Sequence, residues 1–249
     1  MRKLSGVAST MKTLAVIMAR AGSVGLPGKS LRPLLGRPLI AHTFDHVRQS
    51  TGISRAVVSS DDPSILALAR DNQFDTIVRP PELATSTAAT DPVLRHGVSM
   101  LREQDGFEPD AVVMLYGNIP IRRNNMIDRC IALLRQTGAD SVQTIAPVGK
   151  MHPYWMFDHT ADGKIRKHVP NNVYRRQDLP PLFSPTGAVY VMKTAVLLAA
   201  EGSTDPHAFL GTDRRGLIVD PDDSVDIDSL KDLFIAEAML RSSEPSKEL

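Results

Sequence analysis

Seven short runs of β-branched and aliphatic residues recur along this chain, and they constrain its fold more than any other feature. The first, TLAVIMA at 13–19, is apolar without alternation, the pattern of a strand covered on both faces. AVVS (56–59), TIV (76–78), AVVML (111–115), SVQTIA (141–146), AVYVM (188–192) and LIV (217–219) repeat the signature. Between them the apolar period lengthens to that of a helix. Ile127, Cys130, Ile131 and Leu134 fall at i, i+3, i+4 and i+7, one helical face. Leu230, Leu233, Phe234 and Ala238 mark a last helix, with Asp228 or Ser229 as its cap. Asp62-Pro63 and Asp91-Pro92 each offer an N-cap followed by proline at the first helical position. Strand runs alternating with helices predict an α/β fold built on a mostly parallel sheet.

At 249 residues the chain suits one domain, expected over 12–242, with flexible ends at 1–11 and 243–249. A net charge of +1 gives no footprint for nucleic acid or an anionic membrane, so phosphate chemistry has to come from local placement of basic groups. Cys130 is the only cysteine, which excludes an internal disulfide and multi-cysteine metal sites. The basic start MRKLSGVASTMK lacks the apolar core of a signal peptide, and no run reaches the ~20 apolar residues of a membrane span. The expected location is cytoplasmic.

Residues 147–186 break the alternation. They are proline-rich and hold the only tryptophan, Trp155. The fragments YWMF and KIRKHV flank DHTADGK, in which Asp162-Gly163 is a hairpin-turn dipeptide. Two readings stand: a protruding arm that packs on a second subunit, or a loop folded over its own domain.

After the first strand comes ARAGSVGLPGKS (19–30), which ends like a P-loop. Counting back from Gly28-Lys29-Ser30 places Ser23, not glycine, at the first position of that motif. Pro33 and Pro38 also follow too closely for an α-helix to begin at Lys29. What remains is a glycine-punctuated loop at the carboxyl end of a strand, where open α/β sheets bind ligands. Gly22, Gly25 and Gly28 let backbone N–H groups turn toward an anion, and Arg20 and Lys29 add cationic donors. The alternative is a flexible loop with solvated charges.

In DDSVDIDSLKDL (222–233), Asp226 and Asp228 alternate with Val225 and Ile227. Extended chain then puts both carboxylates on one face, an arrangement that favours a divalent cation. A surface acidic turn with a helix cap explains the pattern equally well. His42 and His46 have a zinc-compatible spacing but no third ligand nearby, so packing roles are expected. Cys130 reads as core.

Three segments, ARAGSVGLPGKSLRPLLGRPLIAHT, RPPELATSTAATD and DSVDIDSLKDL, resemble those of the acylneuraminate (CMP-sialic acid) cytidylyltransferases, over residues 12 to about 240. Similarity to the CMP-3-deoxy-manno-octulosonate synthetases is more distant. The resemblance implies a nucleotide-diphospho-sugar-transferase fold, a mixed Rossmann-like sheet with a protruding hairpin arm. It implies a Mg²⁺-dependent transfer of CMP from CTP to the anomeric hydroxyl of an acidic sugar, in a homodimer joined through 147–186. Arg20 and Lys29 then hold the triphosphate. Ala19, Gly22, Ser23, Gly25, Ser30, Arg79 and Thr90 lie at the nucleotide. Asp226 and Asp228 hold Mg²⁺, and Tyr116, Asn118, Arg122 and Arg176 face the sugar.

The chain departs from that pattern in three places. Val24 stands where relatives carry Lys or Arg, and Ser30 replaces Asn. The segment Q-P-T-S-P-L-R reads YGNIPIR at 116–122. The nucleotide half is therefore kept better than the sugar half. A different nucleotide or sugar, or a nucleotide-binding relative without turnover, are the competing expectations.

Overall fold

The computed structural model describes residues 11–22 and 25–242. Each of the seven apolar runs forms a strand of one sheet: β1 (Thr13–Met18), β2 (Arg55–Ser60), β3 (Asp75–Val78), β4 (Ala111–Tyr116), β5 (Ser141–Pro147), β6 (Phe183–Lys193) and β7 (Arg214–Ile218). Their order is β7-β5-β6-β4-β1-β2-β3. β6 is antiparallel to both its neighbours, whereas every other pairing is parallel.

Six helices cover the sheet: α1 (Leu39–Gln49), α2 (Pro63–Asp71), α3 (Thr90–Asp105), α4 (Met126–Thr137), α5 (Thr194–Ala199) and α6 (Leu230–Arg241). The unalternating run of β1 follows from this double cover. Ala15, Ile17 and Ala19 enter the core under α1, α2 and α4, while Leu14, Val16 and Met18 enter the one under α3 and α5. Cys130 is fully buried in the first of these cores.

Helix starts were partly legible. Asp62 caps α2 by accepting from the Ser64 N–H, as expected. Asp91 does not cap α3. That helix starts at Thr90, two residues before the expected Pro92, and Asp91 instead pairs with Arg95 at 2.7 Å in the first turns. Ser229, not Asp228, caps α6, in a reciprocal capping box with Asp232. Lys29–Leu31 forms a single 3-10 turn, where no helix was expected. A small antiparallel pair, Pro33–Leu34 with Arg37–Pro38, separates that turn from α1.

A third, smaller core positions the site. Leu26, Leu34, Leu39, Ile121, Ile227 and Ala236 are buried together, so it unites the glycine loop, the acidic segment and α6. Burying side chains such as Leu26 and Ile227 contributes about 1.5–3 kcal/mol each. An exposed ion pair contributes about 0–1 kcal/mol. Apolar anchoring therefore brings the two charged segments together, and their charges are left to face the cavity. Ser224–Val225 also pairs with Ile121–Arg122, tying the acidic segment to the loop after β4.

Between β5 and β6 the chain leaves the sheet. Phe157–His159 and Ile165–Lys167 form an antiparallel hairpin, turned at Asp162-Gly163, where Gly163 adopts φ +82°. All six strand residues of this hairpin are exposed, so it protrudes instead of folding over its own domain.

Candidate active site

The sheet order reverses between β1 and β4: β2 and β3 continue to one side, and β4 starts the other. Open α/β sheets bind ligands at such a switch point, outside the carboxyl ends of the strands. There the ends lie in register, with Met18 beside both Ser59 and Tyr116. Immediately beyond them opens a cavity of about 430 Å³. This is within the range of small-molecule sites.

Its floor is Met18, Ala19 and Tyr116, and its walls come from four loops. The glycine loop brings Arg20, Gly25, Lys29 and Ser30; the stretch from Arg79 to Thr90 brings Leu83, Thr85, Ser86, Ala88 and Ala89. Asn118 and the Asp226/Asp228 pair close it. The N-terminus of α3 has no side-chain cap, so its first N–H groups remain available beside the lining residues Ala89 and Thr90.

Three cations meet here. Arg79 is buried, with Nε donating to Ser59 Oγ at 3.2 Å and Nη2 to the Ser59 carbonyl at 2.6 Å. Burial pushes its pKa down to about 10, Asp61 opposes that shift, and the like charge of Arg20 adds to it. Arg20 makes no hydrogen bond or ion pair among the described residues. Asp61 accepts from the Ala21 N–H at 3.0 Å and so fixes the start of the loop. Lys29 Nζ lies 2.7 Å from Asp228 Oδ1 and 3.1 Å from the Ile227 carbonyl. Two mutually repelling guanidinium groups and an ammonium on one cavity make a site for a polyanion.

Opposite them stand the carboxylates. Asp226 is solvent-accessible but crowded by protein on its inner side. That desolvation is the first cause raising its pKa, and the charge of Asp228 is the second. Asn118 Nδ2 donates to Asp226 Oδ1 and, at 3.1 Å, to the Ile227 carbonyl. The glycine loop passes close by: a Cβ on Gly25 would sit 2.5 Å from the Asp228 carbonyl oxygen. An all-oxygen donor pair of like charges suits a hard divalent cation such as Mg²⁺. Among the described residues no group of three or more His, Cys, Asp or Glu side chains is arranged to hold an ion. A cation at this pair must therefore draw further oxygens from ligand and water.

Of the residues singled out from sequence, Ala19, Arg20, Gly25, Lys29, Ser30, Arg79, Thr90, Tyr116, Asn118, Asp226 and Asp228 line this one cavity. Gly22 lies beside it, where a Cβ would come within 3.8 Å of Arg20 Nη1. Ser23 and Val24 fall outside the described residues. Arg122, expected at the sugar, does not line this cavity. It is buried, and it donates to the carbonyls of Ala188 (2.8 Å), Ile119 (2.6 Å) and Tyr116 (2.8 Å) and to Thr43 Oγ1 (3.1 Å). These bonds staple the loop that backs the cavity. Arg176 sits in a 3-10 turn of the arm, away from its own chain's cavity. His46, largely buried, has its pKa pushed down to about 3 by burial first, then by Arg122 and His42.

Sequence reasoning missed Leu83, Thr85, Ser86, Ala88 and Ala89, although it isolated the segment that holds them. Small residues carry no chemical signature until a cavity forms against them.

Among the described residues no helix is long and apolar enough to cross a membrane. A family model described as cytidylyltransferase matches residues 14–193. The chain is 28% identical to the CMP-N,N'-diacetyllegionaminic acid synthase of Legionella pneumophila, covering 94% of this chain and 98% of that one. It is 30% identical to an N-acylneuraminate cytidylyltransferase of Streptococcus agalactiae over 73% of its own length, but spans only 43% of that longer relative. The solved structure of CMP:2-keto-3-deoxy-manno-octonic acid synthetase complexed with CTP superposes with a TM-score of 0.69 at 19% identity, covering 93% of this chain and 99% of that one. That likeness extends over nearly the whole of the mixed, mostly parallel fold described above. With 180 residues of continuous match to the family, 14 through 193, and the fold that goes with it, this chain belongs to the cytidylyltransferases.

Proposed function

We propose that this enzyme transfers CMP from CTP to the anomeric hydroxyl of a nonulosonic acid of the sialic or legionaminic type, releasing pyrophosphate. The observation that carries the reading is the convergence of Arg20, Lys29 and Arg79 with Asp226 and Asp228 on one cavity at the switch point. Triphosphate and cation each find a complementary partner there. The names of the streptococcal and Legionella relatives supply the substrate class.

In the reaction the anomeric oxygen bonds to the α-phosphorus, the bond from that phosphorus to the bridging oxygen breaks, and pyrophosphate leaves with the electron pair. The hydroxyl proton passes to solvent. Positioning and charge neutralisation carry such a step more than covalent chemistry does. Lys29 exchanges Asp228 for phosphate oxygens, and Arg20, which has no hydrogen bond or ion pair among the described residues, takes others. Arg79, anchored on Ser59, holds the nucleoside end. The free N–H groups at the start of α3 offer further donors to the nucleotide. Asp226 and Asp228 would hold Mg²⁺, which when bound would neutralise triphosphate charge and lower the pKa of a bound hydroxyl.

The arm extends the reading to a homodimer in the cytoplasm. Met151, Phe157, Ile165 and Tyr174 are exposed on it, Tyr174 at 91%. Arg175 there pairs with Asp178, whereas Arg176 makes no ion pair among the described residues. Arg176 then serves the sugar carboxylate in the partner's cavity.

Nucleotide protection in thermal melts tests the assignment, because a ligand that binds only the folded state raises its stability. CTP with Mg²⁺ is expected to raise Tm more than ATP, GTP or UTP. Protection by another triphosphate and none by CTP overturns the cytidine reading.

A further inference from the structure

Asn118 lines the cavity and was expected at the sugar, yet its hydrogen bonds run to the acidic segment. Its side-chain amide donates to Asp226 Oδ1 and to the Ile227 carbonyl. Its backbone carbonyl accepts from the Ile227 N–H at 3.0 Å. Ile227 is fully buried, and the preceding Gly117 N–H donates to the Met18 carbonyl at 3.0 Å. The Asp226 carboxylate is thus referenced, through two residues, to the end of β1. Asp228 is held differently, by the ammonium of a long side chain for which phosphate can compete.

We propose that Asn118 is a positioning residue for the divalent-cation site: it orients the Asp226 carboxylate toward the cation and does not act as a sugar contact. The proposal rests on the reading of Asp226 and Asp228 as cation ligands. Two like-charged carboxylates side by side repel and spread unless something holds one of them. A neutral amide suits that task better than a cationic side chain. It fixes the direction of one oxygen without cancelling the charge that attracts the metal, and the second oxygen stays free. Partners of this kind, one step removed from the metal, typically govern affinity by about 10- to 100-fold.

The test is Mn²⁺ binding to the full chain in the presence of CTP, followed by the electron paramagnetic resonance of free Mn²⁺. Asn118→Ala deletes the amide and keeps the backbone bond between residues 118 and 227. Its Mn²⁺ dissociation constant is expected to rise about 10- to 100-fold. At saturating cation, KM for the sugar acid is expected to stay unchanged. Asn118→Ser carries the same test if the alanine variant melts early. Unchanged Mn²⁺ affinity with a raised sugar KM overturns the proposal and returns Asn118 to the sugar. If the unsubstituted protein with CTP binds no Mn²⁺, the proposal and the cation reading of the aspartates both fall.

Discussion

Lys29→Met separates the two roles an ion-paired lysine can play. The substitution keeps most of the alkyl stem, which is largely buried, and removes the ammonium. That ammonium lies 2.7 Å from Asp228, whose side chain is 72% exposed against 18% for Lys29. A pair with one partner so open to solvent contributes about 0–1 kcal/mol to stability. For a chain of this size the expected loss is then at most about 2–4 °C in Tm. Its contact with a triphosphate is worth more, because a hydrogen bond to a charged group contributes about 1.5–3 kcal/mol. That corresponds to a loss of roughly 10- to 150-fold in kcat/KM for CTP. Differential scanning calorimetry and steady-state pyrophosphate release, run on the same preparations, read the two effects separately. A large loss of activity with a near-native melt supports the phosphate role. Activity within a few-fold of the parent, or a fall in Tm of 10 °C or more, refutes the reasoning.

Other perturbations report on neighbouring parts of the account. Gly25→Ala forces a Cβ to within 2.5 Å of the Asp228 carbonyl oxygen, so loop and acidic segment must separate; we expect about 1–3 kcal/mol of destabilisation in urea melts and reduced CTP affinity. His46 titrates far below its ordinary value of 6.5 in the folded chain, at about 3. The unfolded state therefore binds the extra proton in that window, and stability falls as pH drops from about 6.5 toward 3, by at most about 1.4 kcal/mol per pH unit for one proton. His46→Gln should flatten that slope in urea midpoints measured across the window, and an unchanged slope would assign the acid sensitivity elsewhere. Phe157→Asp on the exposed hairpin should convert a dimer to a folded monomer in sedimentation velocity; a dimer that survives it removes the arm from the interface.

The sheet was legible because each strand is a short β-branched run whose period differs from the helices around it. All seven runs named from sequence became its strands. The acidic pair was legible for a related reason: Ile227 between the two aspartates has to enter the core, which turns both carboxylates the other way. The burial of Arg122 was not legible because it arises only in three dimensions. Its acceptors come from residues 43, 116, 119 and 188, and nothing near it in sequence announces that a buried cavity wall absorbs its charge. One expected cap also failed. Asp91 carries the right residue type, but Thr90 already has helical backbone, so the aspartate falls inside the first turn. Asn118 is the most instructive case. Its position on the cavity was inferable, whereas its partner, Asp226, lies 108 residues away and is brought there by the third core.

The central claim is that one cavity at the switch point joins CTP to a nonulosonic acid. The most direct measurement incubates the purified chain with CTP, Mg²⁺ and single sugar acids, N-acetylneuraminate and N,N'-diacetyllegionaminate among them, and follows pyrophosphate and CMP-sugar by mass spectrometry. Both products are expected in equal amounts with at least one nonulosonic acid, and neither when the sugar is omitted. Tight CTP binding with no CMP-sugar from any of them, or efficient turnover with a different nucleoside triphosphate in place of CTP, would contradict it.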